Sequence, residues 1–246
     1  MDVPLIITLV VPATAMALVG AITLMLARGP GVGPRSRQWR TAVATGGALL
    51  AWLIIGSLLA VAGAFHTPAT PPVLVYPLVA LPLLGLLAVR TVPTLRRHLE
   101  RPSPRSDLVG LHVWRYAGGV FLIMAALGRM PWLFALPAGL GDIAVAIMAP
   151  GVSRRLRSGA GRRSALAWNA FGLLDLVVAL GLGAATSPGP LQVFSTNPSS
   201  ELLSAFPLVL FPIFLVPVSL LAHLLSVRSL ISRHATRDPA IAVGSA

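Results

Sequence analysis

The amino-acid sequence predicts an all-α integral membrane protein, a bundle of seven transmembrane helices with its N-terminus outside and its C-terminus in the cytoplasm. Of the 246 residues, 56% are hydrophobic and only 11% are charged, whereas soluble domains carry about 25% charged residues. The apolar residues form long runs that suit transmembrane helices of about 20 residues. The arginines are concentrated in alternate connections between these runs, and this alternation predicts the orientation.

Seven apolar runs are each too long and too continuous to be buried strands. We expect helices over residues 4–27, 41–64, 72–91, 107–128, 131–150, 164–185 and 202–228. Together they account for one transmembrane domain over residues 1–228 and leave no room for a separate soluble domain. Residues 229–246 are polar and rich in small side chains, and we expect them to form a disordered cytoplasmic tail.

The first run is predicted to be an uncleaved transmembrane helix. It begins Met1-Asp2-Val3 without a basic residue, whereas a secretory signal peptide begins with positive charge and has a shorter apolar core. The positive charges follow this run instead.

The connections after helices one, three, five and seven contain four, five, five and three arginines. The connections over residues 65–71 and 186–200 contain none, and the hairpin after helix four contains only Arg129. Arginine-rich connections stay in the cytoplasm, so this pattern predicts the stated orientation in the cell membrane. The bilayer is then a partner of the protein, and anionic lipid headgroups are expected at the arginine-rich connections.

Residue types that are missing exclude several chemistries. All 19 basic residues are arginine and there is no lysine, so retinal and pyridoxal phosphate cannot form a Schiff base with the chain. There is also no cysteine, which excludes disulfides, thiolate metal ligands and cysteine nucleophiles. The net charge of +12 lies mainly in connections between apolar runs, so it is explained by membrane orientation and not by binding of nucleic acid.

Polar side chains inside the predicted helices are the candidates for function, because ionisable groups within a membrane are costly. Arg115, Asp142, Asp175 and His223 lie within helices four to seven, together with the amide of Asn169. We expect these five residues to form a ligand-binding site in the inner half of the bundle. The functional hypothesis is an inward-facing pocket in which the aspartates titrate or hold a cation and Arg115 meets an anionic group.

A purely structural role for these polar residues is the alternative. Arg115 would then neutralise one aspartate, while Asn169 and His223 would form hydrogen bonds to backbone carbonyls. Two carboxylates against one arginine leave one charge uncompensated, which favours a functional role.

Two further patterns are found in helices four, six and seven. Trp114-Arg115-x-x-Gly118 recurs as Trp168-Asn169-x-x-Gly172 at equivalent depth, either through duplication of a helical hairpin or by coincidence. Helix seven contains Pro207, Pro212 and Pro217, each of which lacks an N–H donor, so this helix must bend or open locally. A moving gate and a static curved helix both remain open as explanations.

Three functional hypotheses remain, and the sequence leaves open whether the protein is an enzyme. The favoured hypothesis is a transport or small-ligand-binding protein with a polar site between helices four to seven. The second is a membrane-embedded enzyme, with or without a metal, that acts on a lipid or a quinone. The third is a non-catalytic accessory subunit of a membrane complex.

No cofactor is predicted for this chain. Asp142, Asp175 and His223 are ligand types suited to Zn, Mn or Fe, but no local pair of residues has the spacing of a metal motif. A haem between His112 and His223 has no motif either.

Overall fold

A computed structural model describes residues 3–28, 34–66, 73–100 and 103–231. These residues are 81% helical, with no strand among them. The predicted all-α class is therefore confirmed. Most of the expected C-terminal tail, residues 232–246, lies outside the described residues.

The described part of the chain contains α-helices joined by short connections. Their bounds are α1 Leu5–Arg28, α2 Arg35–Val61, α3 Val75–Thr91, α4 Pro93–Leu99, α5 Ser103–Gly110, α6 Gly119–Ala126, α7 Trp132–Arg157, α8 Arg162–Thr186 and α9 Val216–Ile231. A 3-10 helix over Leu111–Gly118 joins α5 to α6, a 3-10 turn covers Glu201–Ser204, and a π-helix over Phe211–Leu215 precedes α9.

Among the described residues, six helical segments are long and apolar enough to cross a membrane, and the number rises to seven if α3 and α4 count as one bent span. The six are α1, α2, the segment Arg105–Ala126, α7, α8 and the segment Phe211–Ile231. They coincide with six of the seven predicted runs to within several residues, apart from the beginning of the last run. The protein is therefore helical and compatible with a membrane.

The third predicted helix ends at Thr91 as expected, and the chain then turns by 96° into α4. Val92 has an extended backbone, with φ −95° and ψ 104°. It precedes Pro93, and the proline ring disfavours a helical conformation at the residue before it. The chain therefore breaks here, and α4 begins with proline at its first turn, where no N–H donor is needed.

The fourth predicted helix, 107–128, is not a continuous α-helix. Its middle, Leu111–Gly118, is a 3-10 helix of eight residues, which is longer than the three or four residues common for this conformation. Such a segment within a helix often marks strain or a functional site. Here it carries both His112 and Arg115.

The seventh predicted helix, 202–228, is wrong at its beginning, because the continuous helical segment starts only at Phe211, as a π-helix, and continues to Ile231. The prolines explain this opening, since each removes a backbone donor. The carbonyl of Ile213 would accept an α-helical bond from residue 217, which is proline. The indole Nε1 of Trp52 donates to this carbonyl instead, at 2.9 Å, and so links α2 to the π-helix.

The polar residues lie in a ring of four helical segments. The 3-10 helix packs on α7, α7 on α8, α8 on α9, and α9 against α5 and α3, while α1 pairs with α2. Arginine-rich segments meet at one end of this bundle: Arg28 and Arg157 line one cavity, and Arg162 Nε donates to Leu230 O. We call this the Arg-rich end, and the opposite end, with connections 65–66 and 187–191, the Arg-poor end.

Candidate functional site

Arg115 is the centre of the polar cluster, and it is fully buried. Its Nε donates to Oδ1 of Asp142 at 2.5 Å, and its Nη2 donates to Oδ2 of Asp175. The guanidinium also lies 3.4 Å from the carbonyl of Gly172 through Nη1. Arg115 therefore forms ion pairs with both aspartates at once, whereas the structural alternative assumed a single pair.

Glycines make room for three of the polar side chains. A Cβ atom on Gly118 would overlap Asp142, one on Gly141 would overlap Asp175, and one on Gly172 would overlap His223. In each case the glycine lies on the helical segment that neighbours the polar residue. The close approach of helices that small residues permit is thus used here to seat polar groups.

His223 and Asn169 form the second layer of the cluster. Asn169 Nδ2 donates to Ala165 O and to Ser226 Oγ, so its Oδ1 is the acceptor that lies 2.9 Å from Nδ1 of His223. His223 therefore donates from Nδ1, which leaves Nε2 to accept from Arg115 Nη1 at 3.3 Å. This network assigns a neutral imidazole that orients the guanidinium.

Three aromatic rings close the cluster on the side of the Arg-rich end. The ring centroids of His112 and His223 are 4.0 Å apart, and the ring of Trp168 lies 5.0 Å from each of them. His112 is fully buried and its Nδ1 lies 3.0 Å from the carbonyl of Leu108. The rings lie along their helices between Arg115 and the arginine-rich termini, so they separate the guanidinium from that end.

Asp142 forms part of the wall of a cavity of about 420 Å³. The cavity extends from this carboxylate to the Arg-poor end, where Glu201, His66 and residues 187–191 line it. Phe121, Phe134 and Phe211 also line it, and the Phe121 ring lies 5.1 Å and 4.4 Å from the other two. The cavity thus lies on the Arg-poor side of the cluster, and the packed imidazole and indole rings lie on its Arg-rich side.

All five residues proposed from the sequence lie in this one cluster. Arg115 contacts Asp142, Asp175 and His223, and Asn169 is connected through His223. Ser226, which is not among the five, accepts a hydrogen bond from Asn169. Its i, i+3 spacing from His223 was the signal that could have placed it in the cluster.

The cluster does not have the arrangement of a metal centre. Within the described residues, no group of three or more His, Asp or Glu side chains is placed to hold a metal ion. Asp142 and Asp175 each accept from a different guanidinium nitrogen of Arg115, and His223 contacts the third nitrogen. The rings of His112 and His223 pack directly on each other.

The two similar tryptophan segments are alike in part. Trp114 Nε1 donates to Ser219 Oγ on α9, and Trp168 Nε1 donates to Val145 O on α7, both at 3.2 Å. The residue after each tryptophan binds a polar group on the following long helix: Arg115 binds Asp142, and Asn169 binds His223. The two indoles differ, because one donates to a hydroxyl on a later helix and the other to a backbone carbonyl on the preceding helix; duplication and coincidence both remain open.

Residues 72–231 match the model of a family described as a domain of unknown function, DUF8737. This match covers more than half of the chain. The chain belongs to the DUF8737 family. The DUF8737 region begins just before α3 and ends with α9, so it contains the whole polar cluster, whereas α1 and α2 precede it. No curated protein and no solved structure matches the chain.

Proposed function

We propose that this DUF8737 protein is a transport or small-ligand-binding protein that spans the cell membrane seven times, with its N-terminus outside. The ligand reaches the cluster through the cavity at the Arg-poor end, which faces outward in this orientation. One observation carries the proposal: a fully buried arginine joins two carboxylates beside a cavity that Asp142 itself lines.

The charges of the cluster support a cationic ligand. With both carboxylates ionised and His223 neutral, Arg115, Asp142 and Asp175 carry a net charge of −1. An uncompensated charge at membrane depth is costly, so this state is favoured when a proton or a monovalent cation compensates it. A cluster kept only for structure needs no second carboxylate.

The lining and volume of the cavity favour one class of cation, an organic ammonium ion. No arginine lines it in the described part of the chain, and its charged lining residues are Asp142 and Glu201. Phenylalanine rings form part of its wall, and aromatic rings together with a carboxylate are suited to quaternary ammonium groups. Its volume of about 420 Å³ lies within the range of roughly 300–1,000 Å³ of small-molecule sites.

We predict that the purified protein binds choline more tightly than dimethylbutanol, the uncharged carbon analogue of choline. Asp142→Asn should weaken choline binding roughly 30-fold or more, because losing one partner of a buried charge pair costs about 2–5 kcal/mol. Titration calorimetry in detergent measures both ligands.

Glu201→Gln is the matched control, because it removes one carboxylate from the exposed rim of the same cavity. We expect it to change choline binding much less than Asp142→Asn does. Equal binding of choline and dimethylbutanol, or choline binding that is unchanged in a folded Asp142→Asn protein, would contradict the proposed site.

The proposed orientation can be tested because the chain has no cysteine of its own. Gln192→Cys places one thiol at the Arg-poor end, and Ser158→Cys places one at the Arg-rich end; both positions are exposed. We predict that a membrane-impermeant maleimide labels Gln192→Cys on intact cells and labels Ser158→Cys only after permeabilisation. The reverse pattern would invert the orientation and the direction of the cavity.

A further inference from the structure

A second cavity, of about 1,000 Å³, lies at the Arg-rich end between α2, α3 and α9, with contributions from α1, α4, α5 and the 3-10 helix. It is separate from the Asp142 cavity, and the two share no lining residue. On α2 its lining includes Arg37, Thr41, Ala44, Ala48 and Trp52. These positions form one stripe of a helix at intervals of three or four residues.

The lining of this cavity is polar at one end only. Arg37 and Arg40 lie exposed near the beginning of α2, and neither forms an ion pair within the described part of the chain. No Asp or Glu lines the cavity among these residues, and most of the remaining wall is aliphatic. Two arginines without an acidic neighbour are complementary to a phosphate group.

The cavity is long enough to hold an acyl chain together with its headgroup. From Ser36 to Trp52 the lining extends over 16 residues of α2, or about 24 Å at a rise of about 1.5 Å per residue. One leaflet of hydrocarbon is roughly 15 Å thick, half of the bilayer core. Leu95 and Leu99 of the bent α4 line the end near the arginines, and Trp52 lines the opposite end.

From this pattern we infer that the cavity binds an anionic phospholipid of the leaflet at the Arg-rich end. Arg37 and Arg40 contact the phosphate headgroup, and an acyl chain lies along α2 towards Trp52. The site lies between the N-terminal helix pair and the DUF8737 region. It does not depend on the function proposed for the Asp142 cavity.

The test measures phospholipid retained by the purified protein, using native mass spectrometry after incubation with phosphatidylglycerol or phosphatidylcholine. We expect the wild-type protein to retain more phosphatidylglycerol than phosphatidylcholine. Arg37→Gln/Arg40→Gln should weaken its binding roughly 30-fold, since each arginine near an anionic headgroup contributes on the order of a 5-fold gain in affinity. Arg154→Gln/Arg155→Gln is the control, because it removes the same charge at the same end outside this cavity.

A second pair of variants tests the acyl chain. Ala48→Trp fills the cavity from the lining stripe of α2, whereas Gly47→Trp adds the same side chain at the preceding residue, which does not line the cavity and has open space around it. We expect only Ala48→Trp to reduce retained phosphatidylglycerol. Equal retention of both lipids by the wild type, equal effects of the two arginine pairs, or full retention by Ala48→Trp would each overturn the inference.

Discussion

Replacing Arg115 by glutamine is expected to lower the free energy of unfolding by about 3–5 kcal/mol, the cost of removing one partner from a buried ion pair. The loss should be at the upper end of this range, because Arg115 pairs with Asp142 and Asp175 together. Without it, two carboxylates face each other at membrane depth with no positive charge between them. Unfolding in mixed detergent micelles, followed by circular dichroism, measures this loss.

Two further variants show whether the effect of Arg115→Gln comes from the ion pairs of the cluster. Arg154→Gln removes an exposed arginine at the end of α7 and should change stability little, as expected for surface substitutions. Adding Asp142→Asn and Asp175→Asn to Arg115→Gln removes every charge from the cluster and should recover part of the loss. An Arg115→Gln protein as stable as the wild type would show that the ion pairs do not hold the helices together.

Gly141→Ala is expected to destabilise the protein by about 1–3 kcal/mol, the range for overpacking a filled interior. The new Cβ atom would overlap the carboxylate of Asp175, so either that side chain moves away from Arg115 or α7 and α8 separate. The same unfolding assay measures the effect.

Gly151→Ala is the matched control for this glycine. It lies in the same helix, α7, and nothing lies within 4 Å of the position that its Cβ would occupy. Alanine has the better helix propensity, by about 1 kcal/mol, so the control should be neutral or stabilising. If both variants lose a similar free energy of unfolding, Gly141 is not needed to make room for Asp175.

Much of the fold was predictable because apolar length alone determines where a helix can cross a membrane. The predicted runs over α1, α7 and α8 required nothing beyond composition, and the arginines marked their ends. The bend after Thr91 also has a local cause in the pair Val92-Pro93. The all-α class and six of the helical segments therefore follow from local sequence.

The internal structure of two helices was not predictable in this way. The 3-10 conformation of Leu111–Gly118 coincides with the contacts of Arg115 to three other helices, and such tertiary contacts have no local signature. The three prolines indicated an opening in the last helix, but the beginning at Phe211 could not be read from them. Trp52, which donates to the carbonyl of Ile213 in the π-helix, lies 161 residues from Ile213 in sequence.

The sequence predicted which residues form the candidate site from their depth along the helices. It did not predict which of these residues form ion pairs or hydrogen bonds with each other. Depth along each helix placed Arg115, Asp142, Asn169, Asp175 and His223 together, since charged groups avoid lipid. The direction of the cavity depends instead on which side of Arg115 the rings of His112, Trp168 and His223 fill. That packing depends on rotation of the helices about their axes, which composition does not determine.

Proton release on cation binding tests the central claim most directly, because that claim is an exchangeable positive charge that balances Arg115, Asp142 and Asp175. Choline is added to the protein in weakly buffered detergent solution, and a pH indicator dye reports protons. We predict release of about one proton per choline bound by the wild type, since the bound cation replaces the proton that balances the net charge of −1 on the three ionised side chains. Asp142→Asn should release none. No choline binding, or equal proton release by Asp142→Asn, would contradict the account.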